Sequence, residues 1–283
     1  MNSNNKFKRY ILEYLSIAVI VVVFIAILLS VKMVSNSNFS IWATSNYDAE
    51  TQIIDGVNLY AAPANNPSGT IDSYSWEEIK EIAKLNLSAA SYKSRYGIEV
   101  GQKKDNKYVL VDLDGNAYDG FIFMYDTYLH DQMNSTKTND GGYKTAKLAK
   151  EIENLYLTFD TSLKNSIKQV SVKCNDVFNN KNLTNTCSFH VFLPSAKEVG
   201  FDINQLNEPN AYKNEGSKFD YFLEGRSSNA LKKRTQLCSY SAWWLRSANS
   251  NYNDTFCFVY DNGSYDTYDS YDSCAVIACF VVG

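Results

Sequence analysis

The sequence contains few of the residues on which several common kinds of functional site depend. Its 283 residues include two histidines and four prolines. Two histidines provide little material for histidine-based catalysis or for a multi-histidine metal site, and four prolines exclude a proline-rich or collagen-like stalk. A net charge of −4 gives no broad basic surface for nucleic acid. The sequence therefore predicts no metal site, no cofactor and no nucleic-acid partner.

The six cysteines include no C-x-x-C pair, so neither a zinc ribbon nor a dithiol redox motif has support. Cys174 and Cys187 flank an asparagine-rich segment. They are the best candidates for a disulfide, which an extracytoplasmic location permits. Free thiols in a reducing compartment are the alternative. The pairing of the other four stays open: Cys238, Cys257, Cys274 and Cys279.

One long hydrophobic run lies near the start of the chain, in residues 10–34. Residues 11–31 are mostly apolar, and about 21 residues are enough for a helix to cross the hydrocarbon core of a bilayer. Three basic residues precede this apolar span and only Lys32 closely follows residues 11–31, so the positive-inside rule places residues 1–9 in the cytoplasm. The sequence predicts a single-pass protein of the cytoplasmic membrane with an extracytoplasmic C-terminal part. A cleaved signal peptide, with a shorter apolar region, is the alternative.

The remaining chain is predicted to form a stalk and one mixed domain. Residues 35–70 are rich in Asn, Ser, Pro and Gly, which is typical of a linker, and the domain follows at 71–283. Ser75 and Glu78 form a capping box that opens an amphipathic helix at Trp76. The other predicted elements are a helix at 143–157, a short helix at 195–200, strands at 108–112, 120–125 and 189–193, and strands with tight turns from Trp243 onwards.

Several short segments follow one another in a distinctive order: Ser75-Trp-Glu-Glu-Ile79, Asn139-Asp-Gly-Gly-Tyr143, Val191-Phe-Leu-Pro-Ser-Ala-Lys-Glu-Val199, Asp220-Tyr-Phe222, Thr235 and Trp243-Trp-Leu-Arg-Ser247. With these segments the chain, from Ser75 to its end, resembles a bacterial and phage domain family of unknown function that shares a Trp-Trp-x-Arg-Ser motif. The chain departs from that family in its last strand. Residues 275–280 stay apolar but lack the family's arginine and proline.

The resemblance implies both a fold and a class of function. The family resembles proteins of the C-type-lectin-like (formylglycine-generating-enzyme-like) fold, including the variable proteins of diversity-generating retroelements. It therefore implies an α+β lectin-like domain behind the single N-terminal transmembrane helix, with a variable C-terminal binding region at 249–274. In such variable proteins the final strands and loops form the ligand-binding face, and substitutions arise at adenines of asparagine codons.

The composition of residues 249–283, here called the tail, fits this implication. The tail contains no Lys, Arg, Glu, Gln, Met, Trp or Leu, although 20% of the whole chain is charged. Codons that end in a pyrimidine can encode every residue in it. Asn, Tyr, Asp, Ser, Cys and Phe are all reachable from asparagine codons by changing adenines. An AT-rich gene with Tyr- and Ser-rich strands is the alternative explanation.

The chemistry of the tail suits a binding face. Tyrosine offers a large amphipathic contact at small entropic cost, and Ser, Asn and Asp offer adaptable hydrogen bonds. The predicted ligand-binding residues are Tyr252, Asn253, Asp254, Tyr260, Asp261, Tyr265, Asp266, Tyr268, Asp269, Tyr271 and Asp272. Alternation along the strand makes Phe256 and Phe258 structural. Trp243, Trp244 and Arg246 are predicted to be scaffold, an aromatic core with an arginine that pairs with a buried acid or with carbonyls.

The sequence thus predicts a membrane-anchored cell-surface protein for ligand binding or adhesion, not an enzyme. Its partner would be a protein or glycan on another cell, phage or host. Two alternatives stay open. Glu13, early in the apolar helix, resembles the start of a type IV pilin, although Lys8 stands where that family has its processing glycine. An enzyme of the formylglycine-generating fold would need a cysteine pair, and the sequence shows no such arrangement.

Overall fold

The computed structural model describes residues 52–54, 57–59, 62–113, 118–176, 183–202, 212–238 and 241–283. One compact unit spans Ala49–Gly283. The predicted cytoplasmic tail and transmembrane helix, residues 1–34, lie outside the described residues. No helix within the described ranges is long and apolar enough to cross a bilayer.

The described part of the chain forms thirteen strands and five α-helices. The strands are β1 (Gln52–Ile54), β2 (Val57–Leu59), β3 (Lys103–Lys104), β4 (Tyr108–Asp112), β5 (Phe121–Gln132), β6 (Ile167–Lys168), β7 (Val170–Asp176), β8 (Leu183–Phe189), β9 (Val191–Phe192), β10 (Trp243–Ala248), β11 (Thr255–Val259), β12 (Tyr265–Asp269) and β13 (Ser273–Val282). The helices are α1 (Trp76–Ala83), α2 (Ala89–Tyr96), α3 (Lys147–Leu155), α4 (Thr161–Ser166) and α5 (Ser228–Thr235), with 3₁₀ turns at Ile71–Ser73, Gly142–Lys144 and Tyr156–Thr158. The domain is therefore α+β, as predicted.

The main sheet is organised around its last strand. Its strand order is β12-β11-β10-β13-β5-β4-β3. One edge of β13 pairs antiparallel with β5 along most of its length, and the other edge pairs with β10, β9 and β6 in turn. β10 and β13 run parallel, whereas β11 and β12 continue the sheet as an antiparallel hairpin. β7 and β8 form a separate ribbon, as do β1 and β2.

Helix α1 begins where the capping box predicts. The Ser75 side chain accepts a hydrogen bond from the Glu78 N–H, and the Glu78 carboxylate accepts one from the Ser75 N–H. The helix packs onto the sheet through Trp76, whose ring lies 5.2 Å from that of Phe123 and 5.9 Å from that of Phe280. A local signal thus sets the start of α1, and its buried face fixes its place on β5 and β13.

The helix predicted from Tyr143 begins later, at Lys147. Gly141 and Gly142 have φ values of 74° and 61°, in the left-handed region that a right-handed helix does not use. The first helical N–H, at Lys147, instead donates to the side chain of Asn134, 3.0 Å away. The helix start therefore depends on a cap from a distant segment, which no local pattern indicates.

Three other predicted boundaries also differ. The predicted helix at 195–200 is a turn: Ser195 and Glu198 exchange the two bonds of a capping box, but Gly200, with φ 77°, ends the turn at once. The strand predicted to end at residue 125 continues to Gln132, because β13 pairs with residues 121–126 and again with residues 130–132, on either side of a register shift. The hairpin of β1 and β2 falls inside the predicted stalk.

Candidate functional site

The arginine of the Trp-Trp-x-Arg-Ser segment lies at the centre of a buried polar network. Arg246 is on β10 and is fully buried, as is Glu198. Both guanidinium NH groups of Arg246 donate to the Glu198 carboxylate, one of them over 2.7 Å. Tyr118 donates to the same carboxylate over 2.8 Å. Such a buried pair is stable because its remaining polar atoms are also hydrogen-bonded.

Arg246 also holds three backbone segments together. Its Nε donates to the carbonyl of Lys173 on β7 over 3.0 Å, and its NH groups donate to the carbonyls of Leu193 and Glu215, each over 2.9 Å. The structure thus pairs the arginine with a buried acid and with carbonyls, which is the arrangement expected of a scaffold residue. Trp243 and Trp244, beside it on β10, are completely buried.

A second buried carboxyl group, Glu215, adjoins this network. It accepts a hydrogen bond from the backbone N–H of Asn175 over 2.9 Å and is hydrogen-bonded to the Ser247 hydroxyl. Burial raises the pKa of Glu215 to about 7, although Arg246, Ser247 and Asn175 act in the opposite direction. The carboxyl group is therefore partly protonated near neutral pH.

A single buried side chain organises the loop between β10 and β11. The amide nitrogen of Asn139 lies 2.7 Å from the carbonyl oxygen of Asn249, 2.8 Å from that of Tyr252 and 3.0 Å from that of Thr255. The backbone N–H of Asn139 donates to the carbonyl of Asn253 over 2.8 Å. Asn139 thus holds the first loop of the tail through the backbone carbonyls of that loop and not through its side chains.

The tail lines a surface groove of about 410 Å³, which is within the usual size range of ligand pockets. We call it the tail groove. Its lining residues are Tyr212, Asn249, Asn251, Tyr252, Thr255, Tyr265, Asp266 and Thr267. All except Tyr212 belong to the tail. Three of the predicted ligand-binding residues, Tyr252, Tyr265 and Asp266, therefore border one concave surface.

The other predicted ligand-binding residues do not all share this surface, because side chains alternate across β12. Tyr268 packs on Phe258, with ring centroids 5.2 Å apart, and Tyr260 packs on the same ring at 4.5 Å. Tyr265 points to the opposite face, where its ring lies 5.2 Å from that of Phe201. The tyrosines of the tail are thus divided between two faces of the hairpin.

Exposure also separates the predicted residues. Tyr252 is 64% exposed and Tyr271 is 48% exposed, and Asn253 and Asp261 are exposed as well. Asp254 and Asp272 are half-buried. Asp269 forms an ion pair with Lys137, Nζ to Oδ2 2.5 Å, so it contributes to holding the tail against the 134–141 segment.

Phe256 and Phe258, which are predicted to be structural, are buried. Their neighbours Cys257 and Val259 are buried as well, because both faces of β11 are covered.

The structure does not contain the predicted disulfide. Cys174 and Cys187 are both free thiols. The register pairs Cys174 with Asn185 and Cys187 with Val172, so the two cysteines are diagonal neighbours rather than directly opposite each other, and the Cα atoms of such pairs are roughly 7–8 Å apart. A hydrogen bond with Cys174 lowers the pKa of the half-buried Cys187 to about 7, against the effect of burial.

Several residues of the site carry no role in the sequence-based prediction. Tyr212 lies outside the tail, in a segment without a recognisable pattern, and Glu215 follows it closely. Asn139 and Glu198 do occur in the segments that carry the family resemblance. What separates Asn139 and Glu198 from other polar residues is that both are 0% exposed. A single sequence does not show which polar side chains are buried.

The fold and the site together define an α+β domain with a buried arginine–glutamate network and a surface groove lined by the tail. Residues 119–282 match the family described as a domain of unknown function (DUF6273). The match covers more than half of the 283 residues, and the chain belongs to that family. It includes β5 to β13, Arg246 with Glu198 and Glu215, and all residues of the tail groove. No curated protein and no solved structure matches the chain significantly.

Proposed function

We propose that the chain is a membrane-anchored cell-surface protein that binds a protein or glycan through residues 249–274. One observation carries the proposal: seven of the eight residues that line the tail groove belong to the tail. They are Asn, Tyr, Thr and Asp, the amphipathic and hydrogen-bonding types that serve in adaptable binding loops. The predicted membrane anchor would present this groove outside the cell.

The separation of scaffold from surface favours a variable face. Asn139 holds the 249–255 loop through backbone carbonyls, so substitutions in the loop leave those bonds intact. Tyr252 is largely exposed, whereas the supporting Trp244 and Arg246 are fully buried. From the sequence resemblance and the composition of the tail we infer that the domain has a C-type-lectin-like fold and is the target of a diversity-generating retroelement; the division between buried support and exposed surface is compatible with that inference.

Two groove variants and a matched control test the binding. Fluorescently labelled full-length chain in nonionic detergent is applied to a printed glycan array and to intact bacterial cells. Tyr252→Ser removes an exposed ring from the groove, and Thr267→Lys fills the groove with a longer side chain. Tyr128→Ser is the control, because Tyr128 is 82% exposed on β5 and does not line the groove.

We expect the native chain and Tyr128→Ser to bind the same glycans or cells, and both groove variants to lose about tenfold or more in affinity, as central tyrosines of binding surfaces do. Equal binding by all four proteins, or none by the native chain to either probe, would refute a role of the groove.

The DNA downstream of the gene tests whether residues 249–274 are diversified. A retroelement target should be followed by a near-copy of the codons for residues 249–274, with adenines at the positions that vary, beside a reverse transcriptase gene. The absence of such a copy from the genome would exclude diversification and leave a fixed binding face.

A further inference from the structure

We propose that the domain has a second ligand site, a pocket beside β7 that binds an oxoanion group, namely a sulfate, phosphate or carboxylate. The pocket has a volume of about 260 Å³, enough for one such group. We call it the lysine pocket. The side chains that supply hydrogen-bond donors to it are Ser171, Lys173, Lys197, Lys213, Asn214 and Ser217. None of the described residues that line it is acidic.

Strand β7 and the turn after β9 bring the lysines together. Ser171 and Lys173 lie two residues apart on β7, so both side chains project from the same exposed face. Lys197 donates from its Nζ to the backbone carbonyl of Lys213 over 2.6 Å, so the Lys197 ammonium lies against the 213–217 segment. No acidic side chain in the described ranges forms an ion pair with Lys173 or Lys197.

The floor of the pocket does not cancel this positive charge. Tyr118 and Gly216 lie there, and Gly216, with φ 100°, packs so closely on the Glu198 carboxylate that an added Cβ would collide with it. The charge of Glu198 is compensated by Arg246. Lys173 and Lys197 therefore add positive charge to the pocket, in a chain whose net charge is −4.

Arg246 fixes both walls of the pocket and acts as a positioning residue. It donates to the carbonyl of Lys173 on one wall and to the carbonyl of Glu215 on the other. Ser195 adds a hydrogen bond to the Glu215 carbonyl over 2.7 Å. Because these supports are buried, the pocket backbone is held in place before a ligand arrives, which lowers the entropic cost of binding.

The donors suit an oxoanion. Ammonium groups bind sulfate, phosphate and carboxylate as point charges, and the hydroxyls of Ser171 and Ser217 and the amide of Asn214 add directional hydrogen bonds. The group could be a free inorganic anion or a substituent on a sulfated or uronic-acid polysaccharide. Both sources present the same chemistry to the pocket.

Isothermal titration calorimetry on the full-length chain in nonionic detergent, at constant ionic strength, tests the site. The probes are inorganic sulfate, inorganic phosphate, glucuronate and a sulfated oligosaccharide. Lys173→Gln removes one positive charge, and Asn214→Asp adds a negative charge in nearly the same shape. Lys150→Gln is the matched control, since Lys150 is exposed on α3 and does not line the pocket.

We expect at least one probe to bind the native chain with one-to-one stoichiometry. Its affinity for Lys173→Gln and for Asn214→Asp should be about tenfold lower, the loss typical of one charged hydrogen bond. Its affinity for Lys150→Gln should be unchanged. Tighter binding of the sulfated oligosaccharide than of sulfate assigns a polysaccharide ligand, and equal binding assigns a free anion. Lack of saturable binding, or equal binding by all variants, overturns the proposal. Tyr252→Ser should leave anion binding unchanged, so this site and the tail groove can fail independently.

Discussion

Glu215 is a buried carboxyl group whose protonation contributes to the stability of the domain. Burial raises its pKa from the ordinary 4.5 to about 7, so the folded state binds the proton more tightly than the unfolded state. This stabilisation is complete below about pH 4.5 and is lost as the pH rises through about 7. The shift corresponds to at most about 3 kcal/mol.

We therefore expect Glu215→Gln to remove this part of the pH dependence. Urea unfolding midpoints measured at pH 5 and pH 8 should fall with pH in the native chain and change less in the variant, because glutamine keeps the hydrogen-bonding shape without titrating. Charged neighbours such as Arg246 and Glu198 are present in both proteins, so the difference isolates Glu215. An identical pH dependence in the two proteins would contradict the shift.

Asn139 offers a sharper test of the scaffold, because aspartate has nearly the same shape but replaces the hydrogen-bond donor NH₂ by an acceptor oxygen. In Asn139→Asp a carboxylate would face the three carbonyls that now accept from the amide, at a position that is 0% exposed. We expect a loss of about 3 kcal/mol or more in the free energy of unfolding, measured as a lowered thermal midpoint. Asp140→Asn, at the exposed neighbouring position, is the control and should melt like the native chain.

At the scale of elements, the β11–β12 hairpin has a buried aromatic support and exposed aromatic residues. Trp244 on β10 is 0% exposed, and Tyr271, just beyond β12, is 48% exposed. Truncating a buried aromatic costs about 3–5 kcal/mol, whereas most surface substitutions cost about 0.5 kcal/mol or less. We expect Trp244→Ala to unfold the domain at a much lower temperature and Tyr271→Ala to melt normally in a thermal scan monitored by circular dichroism. If Tyr271→Ala melted at a much lower temperature and Trp244→Ala melted normally, Tyr271 would be the supporting residue and Trp244 would not.

The hairpin also limits how freely its residues can be replaced. Tyr265 packs on Phe201 and Asp269 pairs with Lys137, so these two contribute to folding as well as to the surface. Burial opposes ionisation of Asp269, but the hydrogen bond and charge of Lys137, together with the backbone N–H of Tyr271, lower the pKa of that carboxyl. Exposed positions such as Tyr252 are the better targets for a test of binding.

At the scale of the whole molecule, the charge distribution around residues 10–34 predicts the topology. Protease added to intact cells that express the chain should release the C-terminal domain, because the positive-inside rule leaves the basic N-terminus in the cytoplasm. Replacing Lys6, Lys8 and Arg9 by Gln, with lysines substituted at Ser35 and Asn36, should reverse the orientation and protect the domain. Complete protection of the native domain, with a cytoplasmic marker also protected, would contradict the prediction.

What the sequence by itself determined was local. The capping box of Ser75 and Glu78 starts α1, strand β4 has the predicted limits at Tyr108–Asp112, and the C-terminal strands follow one another as expected. These features are readable because the interacting groups are neighbours in the chain, so residue type and spacing are enough to specify them.

Only the tertiary structure decided which residues meet to form the sites. Glu198 reaches Arg246 across 48 residues, Asn139 reaches the carbonyl of Thr255 across 116, and Asn134 caps a helix that begins 13 residues later. The lysine pocket likewise joins β7 to the turn after β9 and to the 213–217 segment. Such contacts depend on how distant strands assemble on β13. The burial that raises the pKa of Glu215 exists only after that assembly.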